Sequence, residues 1–195
     1  VIRTLPLLVI ALAAPGFDAQ KSSAAAVESI PKAISVLVGD CSKAEFEDAI
    51  ACEENVKKDQ DALRKKPAYF YLGVPNEGLL RFEGMKGTKA RFLWTPVHDA
   101  RGLALTVGKP DKLDKSGRPV MKLFVVDVAL ADGVLESDVQ RAIRTGNIAI
   151  ELVADFDKTW ALGAAESQVR GVSVKPRAIR FMNAKNGKPI GETVL

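Results

Sequence analysis

From residue 67 onward the chain breaks into short apolar or alternating runs, each bounded by Gly, Pro, Asn or Asp. The clearest are "AYFYLGV", "GLLRFEG", "KARFLWTPV", "GLALTV", "VMKLFVVDVAL", "NIAIELVADF", "TWALG", "RGVSV", "RAIRFMN" and "PIGETVL". Such runs, rich in β-branched and aromatic residues, predict strands. In "KARFLWTPV", Ala90, Phe92 and Trp94 share one face, and Arg91, Leu93 and Thr95 the other, as a period of two requires. "VMKLFVVDVAL" is apolar on nearly both faces and predicts a central strand. Asn186-Gly187 in "AKNGK" predicts a tight hairpin turn. Roughly eight to ten strands without regular strand-helix alternation predict a mainly β fold of the α+β class. An antiparallel sandwich or barrel-like domain is expected.

Before residue 67 the period changes to that of a helix. After a flexible start at "KSSAAAVES", Pro31 suits a first helical turn, and Gly39 a stop. Ile34, Leu37 and Val38 form its apolar face. A second helix is predicted over "SKAEFEDAIACEENVKKDQDALRKK". Ser42 and Glu45 have capping-box spacing, and Phe46, Ala49, Ile50, Val56 and Leu63 recur at helical intervals. Residues 20–66 therefore read as an N-terminal helical arm and 67–195 as the β-rich domain. Within the latter, "SDVQRAIRTG" predicts one helix, with Ser137 and Gln140 as a capping box and Gly146 as its stop.

Residues 1–19 read as a signal peptide. Arg3 precedes an apolar run from Leu5 to Ala14, and "AAPGFDA" follows. That run is too short for a membrane span of about 20 residues but suits a leader core. A cut after Gly16 places Ala14 and Gly16 at the −3 and −1 positions, which favour small side chains. A cut after Ala19 places Phe17 at −3. No other run approaches about 18 unbroken apolar residues, so the processed chain is expected to be soluble, without a transmembrane helix, and periplasmic or secreted.

Composition adds little to this. The 195 residues are 47% hydrophobic and 27% charged, with a net charge of +4. That excess is mild for a nucleic-acid binder, and no nucleic-acid partner is expected. Cys41 and Cys52 are the two cysteines, and an oxidising compartment predicts their bridge. One unbroken helix would hold them about 16 Å apart, beyond the reach of a disulfide, so the bridge requires a break between them.

The leader "RTLPLLVIALAAPG", then the cysteine-bearing "CSKAEFEDAIACEENVKK", then a run of strands, resembles uncharacterised families of small exported bacterial proteins. The resemblance covers the layout and implies no activity.

The chemistry that can be excluded narrows the function. His98 is the lone histidine, and "TPVHDARG" places it in a surface turn. No G-x-S-x-G elbow accompanies it. One His and two paired Cys make no zinc set, and "DKLDKSG" opposes calcium with its lysines. "GMKGTK" is no phosphate loop, and "DFDKTW" reads as a turn whose Asp155 and Asp157 cap backbone groups. No catalytic residue, metal or cofactor is expected. Positive charge does gather near the C-terminus, where Arg170, Lys175, Arg177, Arg180, Lys185 and Lys188 face Glu192 alone. Ser173, Lys175 and Arg177 share a face in an extended strand. Lys175 and Arg177, with Arg180, Lys185 and Lys188, form a candidate anion site.

The leading expectation is an exported, non-enzymatic binding or structural domain of the envelope or extracellular space. Its partner would be another envelope or extracellular protein or a polyanion. One alternative is a hydrolase of envelope or extracellular polymers using two facing carboxylates. A second is a polyanion or lipid-headgroup binder working through the basic C-terminal hairpin.

Overall fold

The structure, a computed structural model, describes residues 16–27, 29–39, 46–73, 80–95, 97–100, 103–164 and 168–195; of 46–50 and 97–100 it describes the backbone alone. Among the described residues, four helices and a large sheet make up the fold. The helices are α1 (Phe17–Ser23), α2 (Ile30–Val38), α3 (Phe46–Arg64) and α4 (Glu136–Arg144). The ten sheet strands are β1 (Ala25–Ala26), β2 (Ala68–Tyr71), β3 (Leu80–Lys86), β4 (Lys89–Trp94), β5 (Val97–Ala100), β6 (Leu103–Val107), β9 (Phe124–Leu130), β10 (Ile148–Leu162), β11 (Val169–Asn183) and β12 (Pro189–Val194). A separate hairpin joins β7 (Lys112–Leu113) to β8 (Pro119–Val120).

The main path of the sheet runs β1-β2-β10-β11-β12-β9-β4-β3, with β6 and then β5 attached beside β11. Pairing is antiparallel except for β1 with β2 and β6 with β11. The fold is thus α+β and mainly β, as expected. Its path ends at β1 and β3, which do not pair, so no closed barrel forms.

Two long strands organise the rest. The segments "NIAIELVADF" and "TWALG", expected as separate strands, are one continuous β10, and "RGVSV" and "RAIRFMN" are one β11. The first half of β11 pairs with β6 and the second half with β12. Bulges allow this double use. Between the Val153–Ala178 and Ala154–Pro176 pairs, Arg177 is the extra residue. A bulge is a position in a sheet that tolerates proline. It also resets the alternation. Val172 and Val174 face the core before it, and Ile179 and Phe181 after it.

A second bulge sets Asp157 and Lys158 against Ser173. The buried Ser173 hydroxyl accepts from the Lys158 N–H at 3.2 Å and donates to the Lys158 carbonyl at 3.1 Å. The ladder bonds lost at the bulge are thereby replaced, as buried backbone groups demand.

The core lies on one face of this curved sheet. Ile30, Ile34 and Leu37 of α2 pack there with Phe70, Phe92, Leu152, Val174 and Phe181. Ser29 caps α2 through its Oγ, and Pro31 occupies its first turn. α2, within the expected N-terminal helical region, thus contributes to the core. β9 is interior to the sheet, as expected, but buried on one side only. Val126 and Val128 are buried, whereas Val125 of the same strand is exposed.

Other local expectations shift. Residues 21–23, expected to be flexible, lie in α1. α4 is capped by Asp138, whose carboxylate accepts from the Leu135 N–H at 3.1 Å, while Gln140 donates to Glu136 instead. Backbone pairing puts His98 in β5 opposite Leu105, not in a turn. Ser42, Glu45 and Cys41 lie outside the described residues, and with Cys41 the bridge expected to Cys52.

Gly171 of β11 tests the packing between the two halves of the sheet. A Cβ there would lie 2.2 Å from Trp160 Cζ2 and 2.4 Å from the Ala104 carbonyl oxygen. Neither backbone nor a buried indole can yield by so much. The Trp160 ring is further fixed by its N–H donating to Thr106 Oγ1 at 3.1 Å. Gly171→Ala is expected to lower stability by about 2–3 kcal/mol, read from urea unfolding. An unchanged midpoint would show that the strands part easily at this point.

Candidate functional site

The five cations of the expected anion site fall into three settings. Lys175 Nζ lies 3.0 Å from Asp157 Oδ1, and Arg177 Nε 2.7 Å from Asp155 Oδ2. Asp155 and Asp157 therefore stand on β10 as cross-strand partners, not in a turn. Opposite charges on adjacent strands pair in this way, and they cancel most of the positive field expected on that face.

Arg180 is the centre of a larger cluster on the sheet's outer face. Its guanidinium donates to Glu192 Oε2 at 2.8 Å and to Asp18 Oδ1 at 2.8 Å, and lies 3.7 Å from Glu151 Oε2. The guanidinium carbon sits 4.3 Å from the centroid of the Phe17 ring, a cation–π geometry. Glu151 is buried. Its Oε1 accepts from Lys21 at 2.6 Å and from the Tyr69 hydroxyl. Its Oε2 has no hydrogen-bond donor among the described residues, leaving Arg180 as its cationic neighbour.

The protonation of this cluster follows from those contacts. Burial works against the charged form of Arg180, but its bonds to Asp18 and Glu192 outweigh it and raise the guanidinium's pKa. Burial also opposes Lys21, and the bonds to Glu151 and Tyr69 again win and raise it. Burial and then the Glu151 bond raise the Tyr69 phenol. The bond from Arg180 holds Asp18 below the ordinary carboxylate range. These shifts of Arg180, Lys21, Tyr69 and Asp18 all favour the protonation states of neutral pH.

Lys185 and Lys188 have a different setting. The turn between β11 and β12 places them beside α4, around a groove of about 500 Å³. Asn186 and Gly187 lie in this turn, as expected, which spans residues 184–188. Asn183 N–H donates to the Lys188 carbonyl at 2.8 Å, and the Asn183 and Asn186 side chains accept from Lys185 N–H and Lys188 N–H, each at 3.0 Å. Gly187 has φ +68°, the left-handed conformation that glycine takes most easily.

α4 and the Thr145 that caps its C-terminus supply the opposite wall, with Asp138 and Arg141. Asn147 and Asn183 also line the groove. Arg141 was not among the expected residues. Its signal is the spacing of Asp138, Arg141 and Thr145, which puts them on one helical face. Among the described residues, no carboxylate forms an ion pair with Arg141, Lys185 or Lys188. Asp138, the acidic residue of the groove, is engaged in capping α4. The groove therefore presents three cations and several amide and hydroxyl groups, a set suited to oxyanions.

Among the described residues no cluster of His, Cys, Asp and Glu could hold a metal ion, and no helix is long and apolar enough to cross a membrane. No curated protein and no solved structure matches the chain. Residues 1–194 match a family described as a family of unknown function, DUF6066. That match spans nearly the whole sequence and agrees with the resemblance to uncharacterised proteins, so the chain belongs to this family.

Proposed function

We propose that the protein is a non-enzymatic binding domain, exported to the periplasm or beyond, whose ligand carries phosphate or sulfate groups received between α4 and the β11–β12 turn. One observation carries the reading: Arg141, Lys185 and Lys188 converge on a groove of about 500 Å³ without a carboxylate paired to them among the described residues. The other expected anion-site cations, Lys175, Arg177 and Arg180, are already paired. Export rests on the leader pattern of residues 1–19. An oxidising compartment would also join Cys41 to Cys52, which intact mass with and without reductant would read.

Carboxylate hydrolysis is less well supported. Such a site needs two facing acids, one with a raised pKa. Glu151, the buried carboxylate among the described residues, instead faces Lys21 and Arg180. Asp18 and Asp127 are held low by their arginine partners, and Asp114 by the Arg118 backbone N–H and the Ser116 hydroxyl.

Titration with inorganic pyrophosphate, followed by amide shifts, tests the binding. The shifts should centre on Arg141, Lys185 and Lys188. Neutralising all three should weaken binding about tenfold or more, while Lys175→Ala with Arg177→Ala leaves it unchanged. Added salt must also weaken it. Binding indifferent to salt and to the triple substitution would dismiss the groove as the site.

A further inference from the structure

We propose that the Gly16–Phe17 bond is a processing site, and that the chain end it creates is seated on the outer face of the sheet by the Phe17 ring and the Glu192 carboxylate. This rests on the export reading and adds to it where the leader is cut and what the new terminus does. Phe17 is fully buried. Its ring lies with Val153 of β10 and Ala178 of β11, with Ala24 and Tyr69 packed alongside. The Arg180 guanidinium covers that ring. The Phe17 nitrogen donates to Glu192 Oε1 at 3.4 Å. Asp18 adds its ion pair to Arg180.

Hydrolysis by a leader endopeptidase adds the hydroxyl of water to the Gly16 carbonyl carbon and a hydrogen to the Phe17 nitrogen. The amine then takes up a proton at neutral pH. What was a neutral amide donor to the Glu192 carboxylate becomes an ammonium, and the hydrogen bond becomes an ion pair. Ala14 and Gly16 supply the small residues that such a cut requires. The cut removes the Gly16 carbonyl, which accepts from the Ala19 and Gln20 N–H groups at 3.1 and 3.3 Å. Ala19 is exposed and Gln20 partly so, and water can replace that acceptor. A cut after Ala19 would instead delete Phe17 and Asp18. It would leave the Val153 and Ala178 socket empty, and Arg180 without its ring and one carboxylate. Because Phe17 is buried in the fold, cleavage must come first, on an extended chain, with seating afterwards.

N-terminal sequencing and intact mass of the protein recovered from the exported fraction of its own cells test this directly. The expected first residue is Phe17. An exported chain beginning at Gln20, or elsewhere, overturns the proposed site and leaves the export reading standing. A chain kept in the cytosol with residues 1–16 attached overturns both. Seating has its own measurement. A chain starting at Gln20 should melt about 5 °C below one starting at Phe17, and Glu192→Gln, which also costs both chains the pair with Arg180, should lower the melting point of the longer one by more. Equal melting of the two chains would overturn the seating.

Discussion

Arg180→Met lowers the unfolding free energy by about 3 kcal/mol. The substitution keeps most of the aliphatic stem and removes only the charged fork. Its loss leaves Glu192, Asp18 and Glu151 without their shared cation. Asp18 is exposed and can turn to water, so it matters little. Glu151 cannot, because its side chain is only 7% exposed. A buried carboxylate stripped of a partner is the expensive case. Lys21 still holds Oε1, which keeps the loss nearer the lower end of what such truncations produce.

Glu151→Gln is the informative companion. It removes the charge that Arg180 serves, so the double variant should lose less than the sum of the singles. Strict additivity in urea unfolding would mean that Arg180 acts through Phe17 and Glu192 alone.

The α+β class, the helical content before residue 67 and most strands were legible from period and breakers. β4 and β6 lie where "KARFLWTPV" and "GLALTV" placed them. The continuity of β10 and β11 was not legible. Asp155, Asp157 and Lys158 read as turn residues, and Pro176 as a strand breaker, because local propensity carries no sign of a bulge. Ser173 makes one bulge acceptable by bonding the Lys158 backbone, a contact between residues fifteen apart.

The candidate site was half legible for the same reason. The cations were visible, but the carboxylates that neutralise Lys175 and Arg177 come from another strand. Pairing across strands depends on register, and register here depends on the two bulges. Arg141 was missed because α4 meets the β11–β12 turn only in three dimensions. Conversely, the acidic residues 155 and 157, dismissed as caps, decide which cations remain available to a ligand.

The largest effect expected of any single core substitution is at Phe92. Its ring stacks on Phe181 at 4.2 Å between centroids, with planes 19° apart, and Phe82 packs at 5.6 Å on its other neighbour side. Phe92 and Phe181 are both fully buried. They belong to β4 and β11, which are separated in the sheet by β12 and β9. Strands lie about 4.8 Å apart, so in a flat sheet three spacings would hold these positions roughly 14 Å apart with side chains standing parallel. Rings in contact therefore require the sheet to curl about them, and the stack is a contact across that curl. Phe92→Ala should cost about 3–5 kcal/mol, since a void bounded by backbone on several strands collapses poorly. Phe92→Leu refills much of the volume and should cost clearly less. Urea unfolding followed by circular dichroism would measure both. A loss below about 1 kcal/mol for the alanine variant would mean that β4 and β11 can close the gap, and that the curl does not depend on this ring pair.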